Sequence, residues 1–176
     1  MKKCKICKTP FTPIYSTTQN TCSVQCAVKL ANDKKSEDWK KRKAKLKSDL
    51  MTLQDHLKIA QMVFNKFIRL RDQGKECISC GQPPKKANAG HYFSQGGHSS
   101  VRFDEDNVHL QCEHCNSFLS GNLLNYQIGI EKRIGGQKLI ELHSRAHEVK
   151  KWTAEELKEI TDTYRKKIKE MEKNKV

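Results

Sequence analysis

Residues 77–116 read CISCGQPPKKANAGHYFSQGGHSSVRFDEDNVHLQCEHCN, and the fold turns on this stretch. Two short cysteine pairs, Cys77-Ile-Ser-Cys80 and Cys112-Glu-His-Cys115, bracket a polar segment. Each pair brings two sulfurs to one side of a tight turn, so the four together can complete a tetrahedron around zinc. Such a clamp would pin both ends of a hairpin to the start of a helix. Inside it lie His91, the pair Gly96-Gly97 suited to a hairpin tip, and Asn107, with Asn116 directly after the last cysteine.

A second quartet lies upstream, Cys4-Lys-Ile-Cys7 and Cys22-Ser-Val-Gln-Cys26, around a turn-rich stretch with Pro10 and Pro13. Four thiolates leave no open coordination position, so this site reads as structural. A segment this short buries too little apolar surface to fold alone, and zinc contributes about 10–16 kcal/mol in finger-like peptides. In a reducing compartment, cysteines paired in this way bind metal more often than they form disulfides.

Outward from the cysteines, the 176 residues hold 34 Lys plus Arg against 20 Asp plus Glu, a formal net charge of +14. That excess points to a polyanionic partner. Hydrophobic residues make up only 36% of the chain, so apolar side chains alone give a thin core and metal would help hold it. No apolar run suits a membrane span and the start has no signal-peptide pattern, so neither membrane insertion nor secretion is expected.

The order of His91, Asn107 and Asn116 around the zinc clamp is similar to that of HNH, or ββα-metal, nucleases. Hydrolysis of a phosphodiester needs a base to take a proton from water, a group to orient that base, and a divalent cation to stabilise charge on the phosphate and the leaving oxygen. In that arrangement His91 is the base, Asn107 orients or polarises it, and Asn116 offers a carbonyl oxygen to Mg²⁺. Singly, each has a plainer reading: a packed histidine beside Tyr92 and Phe93, a turn residue with Asp104 and Asp106, and the N-cap of the next helix.

Ala-Gly-His-Tyr-Phe-Ser, Arg-Phe-Asp-Glu-Asp-Asn, Gln-Cys-Glu-His-Cys-Asn and Leu-Ser-Gly-Asn resemble the NinG, or Rap, proteins of lambdoid phages over nearly the whole chain. The resemblance implies a structure-specific endonuclease of phage recombination in the cytoplasm of the bacterial host. Its substrates would be Holliday junctions and D-loops, and its product a 5′-phosphate. Many HNH enzymes carry Asp directly before the base, whereas this chain has Gly90. Either water and substrate phosphate complete the metal shell, or Asp104, Glu105 or Asp106 reaches in.

Between the quartets, no Pro or Gly interrupts a helical pattern from about Asp33 to Asp72. Leu46, Leu50, Leu53, Leu57, Ala60, Phe64 and Phe67 fall on one heptad seam, which could pack on the chain's own zinc modules but better suits a homodimer. Ahead of it, Lys34, Lys35, Lys40, Lys41, Arg42, Lys43, Lys45 and Lys47 place eight cations within fourteen positions, and with Arg102 these are the expected phosphate contacts. Trp39 is expected to pack on the seam. Near the C-terminus, Thr153-Ala-Glu-Glu156 predicts a capping box and Leu157, Ile160, Tyr164, Ile168 and Met171 an apolar stripe.

The expected fold is therefore α+β: a small zinc-stabilised ββα-metal core with an N-terminal zinc knuckle and long helical extensions. The expected divisions are a zinc module at 1–30, a basic heptad helix at 31–75, the nuclease core at 76–128 and a C-terminal helical region with a basic tail at 129–176. The expected cofactors are two structural Zn²⁺ and a catalytic Mg²⁺, for which Mn²⁺ can substitute. Branched DNA is the expected partner, alongside host or phage recombination proteins. The rival reading, kept open by Gly90, is a non-catalytic zinc-containing DNA-binding adaptor.

Overall fold

A computed structural model describes residues 1–174, which form two compact units, 1–51 and 52–174. The first unit opens with a two-stranded antiparallel ribbon, β1 (Lys2–Lys3) and β2 (Pro10–Phe11), and continues into α1 (Val24–Asp49). Helix α1 starts at Ser23, whose side chain accepts from the Cys26 N–H, so the last cysteine of the first quartet sits in the first helical turn. Beyond that turn the helix has no buried residue. Trp39 is 60% exposed, against the expectation that it packs. With cations on nearly every turn, α1 has no apolar face wide enough to seek a core.

The expected uninterrupted helix is broken. Helix α1 stops at Asp49, and α2 (Leu53–Arg71) restarts from a capping box in which Thr52 and Asp55 satisfy each other's backbone N–H groups. The seam divides with it. Leu46 and Leu50 are exposed, while Ala60, Phe64 and Phe67 are buried in the second unit. The buried half of the seam is thus engaged within the chain and is not open to a second copy.

In the second unit, α2 packs against α5 (Ala154–Lys173). Phe64 meets Tyr164 edge-on at 4.8 Å between ring centroids, Phe67 meets the same ring at 4.9 Å, and Lys66 pairs with Glu172 at 2.9 Å. Leu157, Tyr164 and Ile168 of α5 enter this core, with Ile160 and Met171 at its margin, and Thr153 and Glu156 form the expected capping box.

Against the same core lies the hairpin of β3 (Ala87–His91) and β4 (Val108–Cys112), through Ala89 and Val108. Its other face meets α3 (Leu123–Ile134), which with α4 (Gly136–Ala146) builds a second core around Tyr126, Ile130 and Leu142. The Tyr126 hydroxyl donates to the Gly90 carbonyl at 2.8 Å and accepts from the His109 N–H at 3.1 Å, fixing α3 across both strands.

At the end of α2, fully buried Asp72 accepts from Arg71, Lys75 and the Leu110 N–H at 2.8–3.0 Å. Burial opposes its charge, but these donors win and hold its carboxyl well below the usual range. The arrangement is mixed helix and sheet, as expected. Among the described residues no helix is long and apolar enough to cross a membrane.

Candidate active site

The two cysteine quartets converge. In each, all four sulfurs lie within 4.8 Å of one another. The separations Cys7–Cys22, Cys22–Cys26 and Cys80–Cys112 are 3.5, 3.8 and 3.9 Å. A disulfide needs about 2.05 Å, whereas the edge of a zinc–thiolate tetrahedron is about 3.8 Å. The donor sets Cys4, Cys7, Cys22, Cys26 and Cys77, Cys80, Cys112, Cys115 therefore fit zinc in type, number and spacing.

The second quartet joins three pieces of chain. Cys77 and Cys80 flank a turn ahead of β3, Cys112 ends β4, and Cys115 lies in a single π-helical turn, His114–Phe118. Sulfur is hydrogen-bonded throughout: Cys112 N–H donates to Cys77 Sγ at 3.3 Å, Cys115 N–H to Cys112 Sγ at 3.4 Å, and Asn122 Nδ2 to Cys115 Sγ at 3.5 Å. Burial opposes the Cys77 thiolate, yet the amides of Cys112, Cys80 and Ser79 bring the thiol down to about 7.

Beside this clamp, along β3, opens a cleft of about 780 Å³. His91 and Asn116 both line it, so the hairpin and the turn after Cys115 do bring these two together. His91 Nε2 lies 3.2 Å from the Arg102 carbonyl, which can only accept, and 3.5 Å from the Gln61 amide nitrogen; in the tautomer that donates to Arg102, Nδ1 keeps its lone pair. Burial pushes the imidazole down to about 4, against the weaker pull of the Arg102 and Ala89 carbonyls and with the Arg102 guanidinium acting in the same direction. His91 is thus neutral at pH 7 and can accept a proton.

Asn107 is placed differently from expectation. It is fully buried, accepts from the Phe93 N–H at 2.8 Å, and donates to the carbonyls of Phe93 (3.1 Å) and Val101 (2.9 Å). Its amide cross-braces the long loop between the strands, and the group that faces His91 is the Arg102 carbonyl that this loop carries. Asn116 does not cap the following helix. Helix α3 begins seven residues later, after Ser120, Gly121 and Asn122, all with positive φ, and its N-cap is Asn122.

Arg102 itself is committed inside the fold, with Nε donating to Gln61 Oε1 at 2.8 Å and Nη1 to the Gln95 carbonyl at 3.2 Å. The expected cations of α1, Lys34, Lys35, Lys40, Lys41, Arg42, Lys43, Lys45 and Lys47, are all exposed. The carboxylates proposed to replace one at Gly90 point elsewhere. Asp104 and Asp106 pair with Arg145 at 2.9 and 3.5 Å, and Glu105 pairs with Lys167 at 2.6 Å. Among the described residues no Asp or Glu lines the cleft. Its side-chain oxygens are neutral, among them those of Asn88, Asn116, Gln127 and, on α2, Asn65, with Arg69 one turn along the same helix.

Four of these residues were not anticipated. Asn65 and Arg69 of α2 line one wall, Asn88 belongs to the strand of His91 and Gln127 to α3; behind the wall, Gln61 donates to Asn65 Oδ1 at 2.8 Å. The available signal was a polar i, i+4 pair beside an otherwise apolar stripe.

A family model described as Bacteriophage Lambda NinG protein matches residues 1–174. The chain is 35% identical over 189 residues to protein ninG of Escherichia phage 933W, a match that covers 97% of this chain and 93% of that protein. It is 34% identical over 191 residues to the proteins of the same name from Salmonella phage P22 and Escherichia phage lambda, with the same coverage. No solved structure matches.

Proposed function

Because this chain belongs to the NinG family of phage proteins, we propose that it is a structure-specific DNA endonuclease of phage recombination, hydrolysing phosphodiesters in branched DNA inside the bacterial host. The observation that carries this reading is a neutral, partly buried His91 and a free Asn116 side chain lining one cleft beside a four-cysteine clamp. In the reaction, His91 Nδ1 takes a proton from water as its oxygen attacks phosphorus, and the bond to the 3′ oxygen breaks. Donation from Nε2 to the Arg102 carbonyl would select the tautomer with its lone pair on Nδ1, and Asn107 would steady the loop that carries this carbonyl.

Arg69 would meet a backbone phosphate at the cleft wall, and the cations of α1 would add affinity that carries no sequence information. Zinc at both quartets would be structural. A divalent cation held from Asn116 would supply charge neutralisation at the phosphate and leaving oxygen. The donors fit Mg²⁺ in kind, being oxygens, and leave its charge to be balanced by the phosphate itself. A homodimer would suit the two related cuts of a symmetric junction, with Trp39, Leu46 and Leu50 of α1 as exposed apolar contacts.

The test is cleavage of an end-labelled four-way junction and its matched linear duplex by zinc-loaded protein, with Mg²⁺ or with EDTA, beside His91→Ala. Mg²⁺-dependent cuts confined to the junction, absent in a folded His91→Ala variant that still binds, are expected. The adaptor reading is favoured by the lack of a carboxylate in the cleft. Tight junction binding with no cuts under any divalent ion would establish it instead.

A further inference from the structure

Backbone parity locates what Gly90 lacks. Residues 88 and 90 of β3 point to the same face, because they pair with Gln111 and His109 of β4 two positions apart. At position 90 that face is closed. A Cβ there would stand 2.2 Å from Gln111 Oε1 and 2.9 Å from Gln111 Cβ. Gln111 is fully buried, with its amide nitrogen donating to Ser79 Oγ and the Gly121 carbonyl at 2.7 and 2.6 Å, so it is anchored where it lies. Its oxygen is buried without a hydrogen-bond partner and lies outside the cleft lining, so it cannot serve a cation there.

Two residues earlier the same face opens into the cleft as Asn88. The amides of Asn88 and Asn116 make no hydrogen bond among the described residues, unlike those of Asn65, Asn107 and Asn122. We propose that Asn88 and Asn116 together supply the protein's oxygen ligands for the divalent cation, with Asn88 taking the part that a carboxylate at position 90 cannot. The proposal rests on the nuclease reading of the cleft.

Its consequence is a particular order of assembly. Two amide carbonyls are hard but neutral donors, and a strongly hydrated ion such as Mg²⁺ binds them weakly without an anion. The DNA phosphate provides that anion. The cation is therefore held in the complex and only poorly by free protein.

The experiment uses Mn²⁺, followed by the loss of its free-ion EPR signal, on zinc-loaded full-length His91→Ala protein, which cannot cut. It is run with and without a four-way junction. Mn²⁺ is expected to bind in the junction complex and far more weakly to free protein. Adding Asn88→Ala should weaken binding in the complex by about tenfold, and Asn88→Asp should strengthen it by about tenfold and make it measurable without DNA, because a carboxylate supplies the missing charge. Unchanged Mn²⁺ affinity in both variants overturns the proposal. So does an Asn88→Ala variant that loses junction affinity equally in EDTA, which would mean that the amide holds the phosphate directly. Failure of wild-type protein to cut any junction would remove the nuclease reading while the Mn²⁺ titration still decides the site.

Discussion

In the proposed reaction His91 is the residue on which the chemistry depends, and its environment makes a measurable claim. Free histidine titrates near 6.5, but burial, assisted by the Arg102 guanidinium, lowers this one to about 4. Its imidazole signals in a ¹H–¹⁵N NMR titration should therefore move with a midpoint near 4, and a midpoint near 6.5 would show that the ring is open to solvent. The sign for stability follows. Between about 4 and 6.5 the unfolded chain binds the proton and the folded chain does not, so stability is complete above 6.5 and falls as pH drops through that window. His109, lowered to about 4 by burial and the neighbouring Arg71, adds to the same loss. That His91 and Asn116 share one cleft was legible in the sequence from their order around the cysteine pairs. The carbonyl of Arg102 was not legible, because a main-chain atom leaves no mark in residue type. For the same reason Asn107 was credited with orienting His91, when its amide bonds the loop that carries this carbonyl.

Among the helices of the second unit, α3 presses directly on the cysteine turn at Ile78. A Cβ on Gly129 would lie 1.8 Å from the Ile78 carbonyl oxygen, a backbone atom in the cysteine turn that cannot rotate away. Gly129→Ala should therefore push α3 off the knuckle and destabilise the protein by about 1–3 kcal/mol, read as a lower midpoint in urea. An unchanged midpoint would mean that helix and knuckle are not tightly coupled. The strand pair, the C-terminal helix and both of its capping features were readable from spacing. The break between α1 and α2 was not, because the seam of apolar residues runs through it without Pro or Gly. The overlooked signal was Thr52-Leu-Gln-Asp55, whose reciprocal hydrogen bonds start a new helix as surely as a breaker ends one. The π turn that carries Asn116 also escaped. A helix was expected at that point, and the chain first makes one wide turn and three left-handed residues.

At the scale of the molecule, the two units each contain one cysteine quartet, and this predicts separable losses. Wild-type protein should carry two zinc ions by elemental analysis. Cys7→Ala should lose one and keep the near-ultraviolet signature of Trp152, which packs against the second unit's core. Cys112→Ala should lose the other and that signature with it. A Cys7→Ala protein that unfolds throughout would show that the units fold as one. Composition had announced a basic chain held by metal, and that reading needed only counting. How the seam divides between the units required the coordinates, since Leu50 and Phe64 are equally apolar in the sequence and differ only in what surrounds them. The length of α1 has its own consequence. Its 26 residues rise about 39 Å, slightly more than the roughly 34 Å turn of a duplex. If the protein binds branched DNA as proposed, a single rod of this reach would span a full turn of one arm, and an arm trimmed below that length would leave part of the rod with nothing to grip.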